Sequence, residues 1–119
     1  MDLAGRVLTD IRVVNPKRNR INGHTVCDET KLIFGEICLR IIPGDSVLHL
    51  EERNCLDSDS ESPQDKNIKY LIGRELTNFK LCFDKDDHCD QVLMCFRNEC
   101  IGFVLHNGQV HTLFCDHYL

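Results

Sequence analysis

The chain has no apolar run of the roughly 18 residues that a membrane-spanning helix requires. Its opening residues, MDLAGRVLTD, lack the charged n-region and long apolar h-region of a secretory signal. A soluble protein with no membrane contact is the expectation. The eight cysteines are then read mostly as reduced thiols in the nucleus or cytoplasm. There is no Walker loop, no G-x-G-x-x-G, no H-E-x-x-H and no G-x-S-x-G. No enzymatic activity and no cofactor are therefore expected. Positive charge is also in short supply. A net charge of -5 and a pI near 5.6 argue against a general electrostatic grip on nucleic acid or anionic lipid. The one dense basic patch, PKRNR at residues 16 to 20, reads as a solvated turn between two strands.

One stretch lacks apolar residues almost entirely: NCLDSDSESPQDKN, residues 54 to 67. Its flanks are each only about 50 residues, a size that seldom buries enough surface to fold alone. They are expected to complete one another, giving a single β domain over residues 1–119 with a flexible acidic loop at about 54–67.

What the chain does have is alternation. In RVLTDIRVV the side chains of Val7, Thr9, Ile11 and Val13 fall on one face of a strand, and Leu8, Asp10, Arg12 and Val14 on the other. Asn22-Gly23 marks a tight turn before a short strand at His24 to Cys27. A turn at Asp28-Glu29 and a strand at Lys31 to Phe34 follow. Pro43-Gly44-Asp45 separates strands at Glu36 to Ile42 and Ser46 to Glu52. Beyond the acidic loop, strands are read at Ile68 to Ile72 and Phe79 to Phe83. The clearest hairpin is VLHNGQVHTLF, with Asn107-Gly108 at its tip. DHCDQVLMCF is compatible with a helix capped by Asp86 or Asp87, but a strand over Val92 to Phe96 is favoured. Eight or so short strands with a turn signal about every ten residues predict an all-β or mostly β fold, an antiparallel sandwich or partly open barrel.

The cysteines and histidines provide no C-x-x-C pair, the usual signature of a zinc site. A site of His88, Cys89, Cys115 and His117 is the zinc-stabilised alternative, and a thiol hydrolase is a more remote one; no metal ligand is assigned. Two features point to binding. VLHLEE, residues 47 to 52, followed by DSDSES, has the aliphatic-then-acidic order of peptides that add a strand to ubiquitin-like modifiers. Ser58, Ser60 and Ser62 each adjoin acidic residues, the setting of an acid-directed phosphorylation site.

The succession VLTDIRVV, a basic turn, TVCDETKLIFG, two aliphatic strands, then IKYLIGRELTNFKLCF and QVLMCFRN is similar to the opening strands of pleckstrin-homology-like domains. It resembles most the divergent, non-lipid-binding kind found in chromatin factors such as histone chaperones and in some SUMO-directed proteases. The resemblance spans about residues 5 to 97 and implies protein binding rather than lipid binding.

The expectation is therefore a non-catalytic protein–protein interaction module acting within a nuclear or cytoplasmic complex through exposed strand edges, with a homodimer as one form. The identity of its protein partner is not legible, and nucleic acid is not the expected ligand. The edge is placed at the C-terminal hairpin, strands Ile101 to Leu105 and Val110 to Phe114, with Val104, Leu105, Val110, Thr112 and Phe114 as the binding residues.

Overall fold

The computed structural model describes residues 3–18, 25–54, 69–97 and 99–114. Within them lie ten strands: β1 (Asp10–Val14), β2 (Lys17–Arg18), β3 (Thr25–Cys27), β4 (Glu29–Phe34), β5 (Ile37–Pro43), β6 (Leu48–Asn54), β7 (Asn78–Phe83), β8 (Cys89–Phe96), β9 (Glu99–His106) and β10 (Gln109–Phe114). They form a four-stranded sheet, β1-β4-β5-β6, and a six-stranded sheet, β2-β3-β10-β9-β8-β7. Each pairing is antiparallel, and neither sheet closes into a barrel. Every named element is a strand. The all-β expectation holds at this level, with two sheets sharing one apolar core.

Period-two burial builds that core. Ile11 and Val13 of β1, Leu32 and Phe34 of β4, and Leu39 and Ile41 of β5 are buried from the four-stranded sheet. Val92, Met94 and Phe96 of β8, Ile101 and Phe103 of β9, and Val110 of β10 are buried from the other. The alternation along β8 excludes the helical reading of this segment, which would bury residues at a spacing near four. Its partner across the hairpin is β9, so β8 is a strand, as favoured from the sequence.

Two turns are legible in the backbone angles. Asn107 (φ 53°) and Gly108 (φ 72°) both lie in the left-handed region that a two-residue hairpin turn demands, which is why Asn-Gly stands there. The chain passes from one sheet to the other at Asp28, between β3 and β4. Its carboxylate accepts hydrogen bonds from the Asn15 amide (2.8 Å) and the Gln109 amide (3.2 Å), tying the end of β1 to the start of β10.

Three sequence expectations are corrected. The first concerns Val7, placed on one strand face with Ile11 and Val13: those two are buried but Val7 is 45% exposed, and Leu8, placed on the opposite face, is buried. The chain changes partner here, Leu8 N–H bonding the Arg74 carbonyl (2.9 Å) and Thr9 N–H the Ile33 carbonyl (2.7 Å), so the alternation loses phase. The second concerns the strand read at Ile68 to Ile72, where residues 70–73 form a turn. Ile72 N–H bonds the Lys69 carbonyl (3.1 Å), and Gly73 at φ 94° takes a conformation foreign to a strand. The third concerns two of the eight cysteines read as mostly reduced thiols: Cys95 and Cys100 form a disulfide. Register explains it. The two residues face one another across the β8–β9 hairpin at a Cα separation of 4.1 Å, the close spacing of a non-hydrogen-bonded pair.

Candidate protein-interaction surface

The two strands of the C-terminal hairpin do not stand at the end of their sheet. β9 is flanked by β8 and β10, and β10 pairs with β3 as well as β9. Val110 and Thr112 are buried, and Val104 and Leu105 are half-buried. The Phe114 side chain lies outside those described. Placing the edge at the end of the chain failed because the last strand inserts beside β3, a pairing across more than 80 residues that no local pattern reveals. The Thr112 hydroxyl is buried without a hydrogen-bond partner, an interior feature rather than a contact surface.

The zinc alternative is only half visible, since Cys115 and His117 lie outside the described residues, as do Ser58, Ser60 and Ser62 and residues 55–68 of the acidic stretch. His88 is exposed and its ring Nδ1 lies 3.8 Å from Asp84 Oδ2. Asp84, Asp86 and His88 bring their ligand atoms within 4.8 Å of one another. Asp84 Oδ1 also accepts the N–H groups of His88 (3.0 Å) and Asp86 (2.8 Å), and these bonds hold its carboxyl below the usual carboxylate range. Local turn geometry thus accounts for the cluster. Cys89 takes no part in it: the thiol is buried, donates to the Gln91 carbonyl (3.6 Å), and is pushed above the ordinary thiol range by that burial. Burial likewise raises the Cys27 thiol, which shares a hydrogen bond with the Thr30 hydroxyl (3.0 Å).

The outer face of the four-stranded sheet carries charge, but it is spent internally. Arg40 forks onto Glu29 through Nε (2.9 Å) and Nη2 (2.8 Å) and reaches Glu51 (3.6 Å). Lys31 Nζ lies 3.7 Å from the same Glu29, and Arg53 pairs with Glu51.

The remaining concentration of exposed chemistry surrounds β7. β7 pairs with β8 on one side and, among the described residues, has no strand on the other. Phe79 and Leu81 pack against the core, whereas Asn78 and Lys80 are exposed and Phe83 is 58% exposed. A bulge between Cys82 and Phe83 leaves Asp90 of β8 unmatched and bends this end of the pair. At the other end, where the chain enters β7, the segments near residues 5–8 and 73–76 cross. Gly5 N–H bonds the Leu76 carbonyl (2.7 Å), Leu76 N–H bonds the Arg6 carbonyl (2.8 Å), and Val7 bridges Glu75. A depression of about 470 Å³ opens there, lined by Val7, Gly73, Arg74, Glu75 and Arg97. Tyr70 is 60% exposed, with the Arg74 guanidinium 4.1 Å above its ring. Thr77 fixes the geometry: its N–H and hydroxyl both donate to the Cys95 carbonyl (2.8 and 3.0 Å), and the hydroxyl accepts from Arg97 N–H (3.2 Å).

Compared with known proteins, the chain matches no family model, no curated protein and no solved structure. Of this surface, the sequence showed Phe79 to Phe83 as a strand but not that it would stand last in its sheet. Strand order depends on pairings distant in sequence, and a terminal strand reads like an interior one when its inward residues are equally apolar.

Proposed function

We propose that the protein is a non-catalytic protein-interaction module that accepts an extended segment of a partner as an added strand along β7. The observation that carries this reading is an edge strand ending in a large, solvent-exposed aromatic, Phe83. Lys80, exposed in mid-strand, opposes pairing of β7 with a second copy of itself, so a different protein is favoured over a homodimer. The non-catalytic reading is supported by the Cys27 and Cys89 thiols, whose burial disfavours the thiolate that nucleophilic chemistry needs. Action within a nuclear or cytoplasmic complex, phosphorylation at Ser58, Ser60 and Ser62, and kinship with divergent pleckstrin-homology-like domains belong to the same proposal. The first two rest on the sequence, and the third on strand succession together with the paired antiparallel sheets.

The test is selection from a displayed library of random peptides, followed by hydrogen exchange on the whole chain with a selected peptide bound. Added protection is expected at the β7 amides that do not bond to β8. A Phe83→Ser variant should bind about tenfold more weakly, the effect of losing one exposed aromatic contact. Selected peptides that leave the β7 amides unprotected would refute the assignment.

A further inference from the structure

The two ends of β7 differ in charge. Arg74 and Arg97 line the depression where the chain enters the strand, with Glu75 as the single acid among the lining residues. Arg97 is exposed. Arg74 is taken up by the Tyr70 ring and by Glu99 at 3.5 Å, so the exposed Arg97 supplies the positive charge that faces a partner here. Beyond Phe83 the chain turns through Asp84, Lys85, Asp86 and Asp87, all but Asp84 exposed, so acid prevails at this end. Hydrogen bonds from the backbone keep the Asp84 carboxylate fixed in the turn. A six-residue strand is about 20 Å long, roughly twice the Debye length at physiological salt, so each end acts on its own part of a bound segment.

Resting on the assignment of β7 as the docking edge, we infer that the segment it accepts has a charge order: basic residues at its N-terminal end, an alternating apolar middle and acidic residues at its C-terminal end. The order follows from antiparallel pairing, which every other strand pair in this fold adopts. A strand laid antiparallel on β7 begins beside Phe83 and the aspartates and finishes over Asn78, where its last side chains enter the arginine-lined depression. Residues in the middle meet the side of the sheet on which Phe79 and Leu81 pack. Charge complementarity at both ends fixes direction as well as affinity.

The test uses three synthetic peptides with the same alternating valine and threonine middle: one with lysines first and glutamates last, one with the ends exchanged, and one with serines at both ends. Fluorescence anisotropy against the whole chain at low salt should show the lysine-first peptide binding about tenfold tighter than the exchanged one, the sum of a few exposed charge pairs. Arg97→Glu and Asp86→Lys, both at exposed turn positions, should each erode that preference while leaving the melting temperature unchanged. Equal binding of the two charged peptides, or tighter binding of the exchanged one, with the β7 amides still protected, overturns the charge order and leaves the docking edge standing. Absence of β7 protection with all three peptides overturns the docking edge itself.

Discussion

The two sheets handle polar groups in opposite ways. On the four-stranded sheet, Glu29, Lys31, Arg40, Glu51 and Arg53 form a continuous set of ion pairs across β4, β5 and β6, so its outer face satisfies its own charges. The six-stranded sheet has its largest buried side chains, Phe96 and Phe103, on adjacent strands, and exposed charges gather at the two ends of β7. A face that pairs its own charges has little left for a partner. Beside β7 Arg74 is paired with Glu99, but Arg97, Asp86 and Asp87 face solvent, and this contrast is why docking is assigned to β7 rather than to the charged face of the other sheet.

The sharpest way to break the comparison is to damage each sheet by the means that holds it. Phe103→Ala should cost about 3–5 kcal/mol, since it leaves a cavity in the apolar core. Urea denaturation measures it; a loss below about 1 kcal/mol would mean the interior of this sheet is loosely packed. Glu29→Ala should cost about 2 kcal/mol, because a largely buried carboxylate that accepts two charge-assisted bonds from Arg40 is removed and Lys31 loses its neighbour. Glu29→Gln should recover part of the loss by keeping one acceptor. Equal melting of both variants and the parent would show the ion pairs to be solvated and unimportant.

How much of this was legible differs along the chain for physical reasons. β4, β5, β6 and the β9–β10 hairpin were legible because aliphatic and β-branched runs are bounded there by turn residues, as at Asn107-Gly108. Residues 69–73 were misread because Tyr70, Leu71 and Ile72 have strand-like composition, while only Leu71 is buried and the hydrogen bonds close on the turn itself. The β7 edge and the Cys95–Cys100 bridge were out of reach for a shared reason: both are consequences of register and strand order. Cys100 lies five positions after Cys95, and only the pairing of β8 with β9 sets them opposite one another.

That bridge offers a subtler test of the six-stranded sheet. Replacing both cysteines by alanine should lower stability by about 2 kcal/mol, the entropy restored to a short loop in the unfolded chain. The same variant tests whether the bridge steadies the turn bearing Arg97, since faster amide exchange is expected there and in Thr77, which bonds both Cys95 and Arg97. Unchanged exchange would assign the turn's order to Thr77 alone.

The smallest effect probes the joint between the sheets. Hydrogen bonds from Asn15 and then Gln109 hold the Asp28 carboxyl below its ordinary value, with Lys17 adding a weaker attraction. A carboxyl whose pKa is lower folded than unfolded contributes stability above its unfolded value, about 3.9, and loses that contribution as pH falls through the folded one. Asp28→Asn should therefore melt slightly below the parent at pH 6, and the difference should shrink toward zero as the pH is taken below 4. A difference that persists at low pH would mean that Asp28 acts through the shape of the corner rather than its charge. The joint would then be independent of ionisation, and the two sheets would be coupled by packing and backbone pairing alone.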